Sequence, residues 1–106
     1  KSERSRTVVE LIKDLQSHWT KSGMNAEYIV SNTVPFNEAG LLKLNCDKSL
    51  FHLHWEATLC YDNCVRLVSD WYDSFYNHNS NMFDITLAQI SNYETQATAQ
   101  ELDWAK

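Results

Sequence analysis

Apolar side chains recur at helical spacing near the start of the chain. Val8, Leu11, Ile12, Leu15 and Trp19 stand at i, i+3, i+4, i+7 and i+11, on one face of a helix predicted over residues 5–22. Ser5 is placed to cap its N-terminus. Gly23 falls where a helix end favours a left-handed residue. The apolar arc is narrow. Val8, Ile12, Leu15 and Trp19 also fit alternating a and d positions of a coiled coil, which makes this helix a candidate seam for a second chain.

The pattern then changes. Residues 26–34 are β-prone, with Tyr28, Ile29, Val30, Thr33 and Val34, and Pro35 ends the ladder because it has no N–H. Residues 35–40 read as a turn. Residues 41–46 predict a second strand, with Leu42, Leu44 and Cys46 alternating against Lys43 and Asn45, and Asp47 and Lys48 form the tight connection. Over residues 50–59, Phe51, Leu53, Trp55, Ala57 and Leu59 alternate with His52, His54, Glu56 and Thr58. Period-two alternation of this length predicts a strand with one buried and one wet face, paired with 41–46 as an antiparallel hairpin.

Helical period returns over residues 61–77. Cys64, Leu67, Val68, Trp71 and Phe75 form the stripe, with Arg66, Asp70, Asp73 and Asn77 opposite and Asp62 near the start. Residues 77–81, Asn-His-Asn-Ser-Asn, read as a helix stop followed by a new cap. Beyond them, Phe83, Ile85 and Leu87 alternate like a strand, whereas Phe83, Leu87 and Ile90 fit a helix. The Ala, Gln and Glu content of 90–105 favours a helix from about 81.

The predicted fold is therefore α+β: an N-terminal helix, a three-stranded antiparallel meander, and two C-terminal helices packed on one sheet face. This order resembles the small RWD-type domains. The resemblance is one of architecture and carries no sequence motif. It implies a docking role in a multi-subunit complex.

Composition narrows the class. Over 106 residues, 43% are hydrophobic and 22% charged, values of a globular chain rather than a disordered one. One domain over residues 1–106 is expected, excised from a longer protein because the chain starts at Lys1 without an initiator Met. Three cysteines, Cys46, Cys60 and Cys64, leave at least one thiol outside any disulfide, and no Asn-x-Ser/Thr acceptor is present. Both point to an intracellular protein, cytoplasmic or nuclear. No apolar run reaches the ~20 residues that a membrane span needs. The net charge of −5 is uneven: residues 1–21 carry five basic and three acidic groups, and the rest carry four basic and eleven acidic. An acidic body repels phosphate backbones, so nucleic acid is not an expected partner.

Few residues carry chemistry. On a strand, His52, His54 and Glu56 would share one face at about 6–7 Å per step, a start on a Zn²⁺ or Fe²⁺ site. The spacing resembles the His-x-His of cupin metal sites, but the glycine framework and downstream ligands of that family are missing. Cys60 and Cys64 match no common zinc module. The two glycines, Gly23 and Gly40, lie too far apart for a phosphate-cradling loop. On the 61–77 helix, Val65, Tyr72 and Tyr76 flank the core stripe and widen the apolar arc to about half the circumference. They must meet the C-terminal helix or another chain. The expected function is a non-enzymatic protein-interaction or dimerisation module without a cofactor. Its contacts would run through Val65, Tyr72 and Tyr76 and through Val8, Ile12, Leu15 and Trp19. The alternative is a small-molecule or metal-binding domain using His52, His54 and Glu56 or an aromatic-lined pocket.

Overall fold

The computed structural model describes residues 5–21, 27–31 and 44–106. Its elements are α1 (Val8–Lys21), α2 (Asp47–Leu53), α3 (Tyr61–Asn77), α4 (Met82–Ala99) and a 3₁₀ turn at Asp103–Ala105. No strand occurs among the described residues. The α+β expectation is overturned, and the RWD-type resemblance that rested on the meander falls with it.

Each predicted strand fails in its own way. Of 26–34, residues 27–31 are neither helix nor strand, with Ile29 and Val30 exposed. The remainder, and the 35–40 turn, lie outside the described residues. Of 41–46, the described residues 44–46 are irregular. Residues 50–53 belong to α2, and 54–60 are irregular. Leu50 beside Phe51 breaks the alternation and adds an i, i+3 pair with Leu53. The amide of Asp47 is met by the Asn45 side chain at 2.7 Å. Asp47, in the first turn, suits the helix dipole. Asp47 and Lys48 thus open a helix rather than connect two strands. A helix closes its hydrogen bonds within itself, whereas a strand needs a paired neighbour.

The helices lie where period and caps place them. A capping box starts α1: the Glu10 amide donates to Thr7 Oγ1 at 3.1 Å, and the Thr7 amide donates to Glu10 Oε1 at 3.0 Å. Thr7 therefore replaces the expected cap, Ser5. Asn81 caps α4, accepting from the amides of Phe83 and Asp84 at 3.1 and 3.4 Å. The ambiguity over residues 82–88 resolves as helix.

α3 is the central helix, packed on α1 on one side and α4 on the other. Residues 78–81 turn the chain back. Trp71 Nε1 then donates to Thr86 Oγ1 at 3.0 Å, Gln89 Nε2 to the Leu67 carbonyl at 2.8 Å, and Gln100 Nε2 to the Thr58 carbonyl at 3.0 Å. One partner number falls as the other rises, the signature of an antiparallel helical hairpin. On the other flank, Arg6 and Asp14 meet Tyr61, and Leu15 and Trp19 meet Ser69. Val65, Ala97 and Leu102 are the buried apolar side chains among the described residues. Full burial of such a side chain contributes about 1.5–3 kcal/mol. That is little for a layer whose helices carry many more large apolar residues.

Candidate functional site: an apolar face across three helices

The 100° step per residue shows where the remaining apolar side chains go. On α3, Val65 and Ser69 point toward α1, and Leu67 and Trp71 toward α4. Val68 and Phe75 fall between the two directions. On antiparallel α4, Thr86, Gln89 and Ala97 point toward α3, and Phe83, Leu87 and Ile90 project from one flank of that contact. Handedness sets the Val68–Phe75 side of α3 and the Phe83–Leu87–Ile90 side of α4 on the same side of the hairpin. All five are exposed: Phe83 by 70%, and Val68, Phe75, Leu87 and Ile90 by about half each, 45–51%. The opposite side of α3 carries Asp62, Arg66, Asp70, Asp73 and Asn77.

The face continues onto α1 as a groove of about 200 Å³, lined by Ile12, Leu15 and Trp19 from α1, Val68 and Tyr72 from α3, and Glu27. Beside it, aromatic rings run along the C-terminal half of α3. Trp71 stacks on Phe75 with centroids 6.1 Å apart, and Tyr72 on Tyr76 at 6.3 Å. Trp71 also meets Tyr72 edge-on, as Phe75 meets Tyr76. The i, i+4 stacking fixes these rings relative to one another.

Of the expected contact residues, Ile12, Leu15, Trp19 and Tyr72 come together in the groove. Val65 is buried, with 4% exposure, on the side of α3 that meets α1. Tyr76 is exposed on the aromatic row, and Val8 is exposed at the start of α1. Part of the coiled-coil seam on α1 therefore packs against α3 of the same chain. Phe83, Leu87 and Ile90 were absent from the expected contact set, although their spacing is visible in the sequence. Their role depends on which side of the hairpin α4 turns outward.

His52, His54 and Glu56 do not share a face. His52 lies in the last turn of α2, His54 closes that helix in the left-handed conformation (φ 53, ψ 31), and Glu56 follows in irregular chain. All three are exposed, and among the described residues no group of three or more His, Cys, Asp or Glu side chains converges on a metal position. The thiols of Cys46, Cys60 and Cys64 are exposed and form no disulfide. No described helix is long and apolar enough to cross a membrane.

At the other end of the α1–α3 contact, the Tyr61 hydroxyl donates to Asp14 Oδ2 at 2.6 Å, and the Arg6 guanidinium lies 3.6 Å above the Tyr61 ring. The bond to Asp14 pushes the Tyr61 phenol above its ordinary value, with burial adding in the same direction. The cluster fastens α1 to the N-terminal end of α3.

No protein-family model matches the chain, and no characterised protein or solved structure shows significant similarity to it.

Proposed function

We propose that the chain is a protein-interaction module that offers the apolar side of the α1–α3–α4 layer to a partner helix. The observation that carries this reading is the exposure of Val68, Phe75, Phe83, Leu87 and Ile90 on one side of two packed helices. Scattered exposed apolar residues are ordinary, but a contiguous patch marks an interface. Aromatic residues are the commonest anchors in such patches, and here four rings are ordered side by side on α3. A helix is the fitting occupant, because three helices side by side form a single layer and helical folds cover such a layer with a second one.

The small-molecule alternative has less support. The groove, at about 200 Å³, is smaller than the roughly 300–1,000 Å³ of ordinary ligand pockets. The histidine face that would have held a metal does not form.

The test is binding of an environment-sensitive apolar dye by the native chain at low concentration, compared with Phe83→Glu and Phe75→Glu. Enhanced fluorescence with the native chain, and a loss of most of it in either variant at unchanged helix content, is the expected result. Equal fluorescence from native and variant chains would overturn the assignment of this face.

A further inference from the structure

We infer that the helix received by this face is α2 of a second copy of the chain, exchanged reciprocally between two copies. The inference rests on the interaction reading above and names the occupant. Two leftovers in the same chain carry it. One is the uncovered apolar side of the layer. The other is α2, which packs on none of the other described helices and holds Leu50, Phe51 and Leu53 exposed by 44, 78 and 73%. Among the described residues, the helix lacks a surface and the surface lacks a helix.

Charge favours α2 over the layer itself as the second copy's contribution. Residues 82–105, α4 and the turn after it, contain no Lys or Arg and four carboxylates: Asp84, Glu94, Glu101 and Asp103. Two layers meeting face to face would bring these acidic rims together, with like-charge repulsion. The 44–55 segment carries one carboxylate, Asp47, against Lys48, His52 and His54. It meets an acidic rim without repulsion, and Lys48 is attracted to it. The histidines that do not form a metal site then have a use on the rim-facing side of a docking helix.

Symmetry and size agree. In a two-fold exchange each copy gives one helix and receives one, so the assembly closes at two. Covering the five exposed face residues together with Leu50, Phe51 and Leu53 removes on the order of 800 Å² per copy, the scale of a stable interface.

The experiment is site-directed crosslinking with a short bis-maleimide in a background where Cys46, Cys60 and Cys64 are replaced by Ser. One chain carries Ser49→Cys on α2 and a second carries Ser91→Cys on α4, each beside the contact and outside it. The mixture is expected to give a product of two-copy mass, and the doubly substituted chain the same two-copy product, rising with concentration. A one-copy product from the doubly substituted chain would mean that α2 closes on its own layer, and would overturn the inference. Absence of any crosslink would overturn it as well. Sedimentation equilibrium of the native chain against Phe51→Glu guards against a background that fails to fold. Phe51→Glu is expected to raise the dimer dissociation constant on the order of 100-fold. A native chain that stays monomeric removes the second copy as the occupant. If that monomer still binds the apolar dye through Phe83, the interaction reading stands without it. If the dye also fails, both fall.

Discussion

The indole N–H of Trp19 donates to the Ser69 carbonyl at 3.1 Å, and the Ser69 hydroxyl donates back to the Leu15 carbonyl at 3.2 Å. Ser69 is 3% exposed, a small polar residue in the contact between α1 and α3. Its size lets the helices meet, and its hydroxyl is satisfied by the turn of α1 that precedes Trp19. Trp19→Phe keeps an aromatic ring and loses the bond, so a cost of about 1–2 kcal/mol is expected. Ser69→Val forces a branched side chain into the contact and is expected to cost about 1–3 kcal/mol. Urea unfolding of the two single variants and the double variant checks this. Because the residues share one contact, the double variant should lose less than the sum of the singles.

The Tyr61–Asp14 bond predicts a pH dependence with a definite sign. The folded phenol lies above its ordinary value of 10.0 because ionisation destroys its donated bond to a carboxylate. Folding is therefore favoured by this bond in full below about pH 10, and the contribution disappears as pH rises through the elevated folded value. Ultraviolet titration of the native chain should show a phenol ionising above the ordinary value. Tyr61→Phe should remove it, and Asp14→Ala should return it to the ordinary range. A titration curve unaltered by Asp14→Ala would refute the assignment.

The end of α4 holds a removable strain. Glu101 sits at φ 56, its amide donating to the Thr98 carbonyl at 3.0 Å while the Leu102 amide donates to the Ala97 carbonyl at 3.2 Å. This pair of bonds is a Schellman closure, with Leu102 folded back beside Ala97, and the left-handed position normally belongs to glycine. A side chain there costs roughly 1 kcal/mol. Glu101→Gly is therefore expected to raise stability by about 0.5–1 kcal/mol, the gain being limited by the extra freedom that glycine gives the unfolded chain. A thermal melt decides it, and an unchanged or lower midpoint counts against the closure.

The helical parts of the chain were legible because their signals are local. Val8 to Trp19 and Cys64 to Phe75 repeat at period 3.6, Thr7 caps α1, and Asn81 in the Asn-rich stop at 77–81 caps α4; each cap forms within one turn of chain. The meander was misread because alternation is necessary for a half-buried strand and not sufficient for one. Phe51, Leu53 and Trp55 alternate, but among the described residues no strand pairs with them, and Asn45, Asp47 and left-handed His54 supply the start and stop of a short helix. The face was half visible. The groove residues Ile12, Leu15, Trp19 and Tyr72 stood out as apolar, while the direction of Phe83, Leu87 and Ile90 depended on how α4 turns against α3, a tertiary fact that no single helix encodes.

If the Phe83–Leu87–Ile90 side of the layer is a contact surface, it is not part of the folding core. Urea unfolding of Leu87→Glu at several protein concentrations tests it most directly. The native midpoint is expected to rise with concentration, the variant's is not, and the two should agree within about 0.5 kcal/mol at the dilute limit. A variant destabilised by about 3 kcal/mol or more at every concentration would place Leu87 in the core and rule out a contact role for this side of the layer.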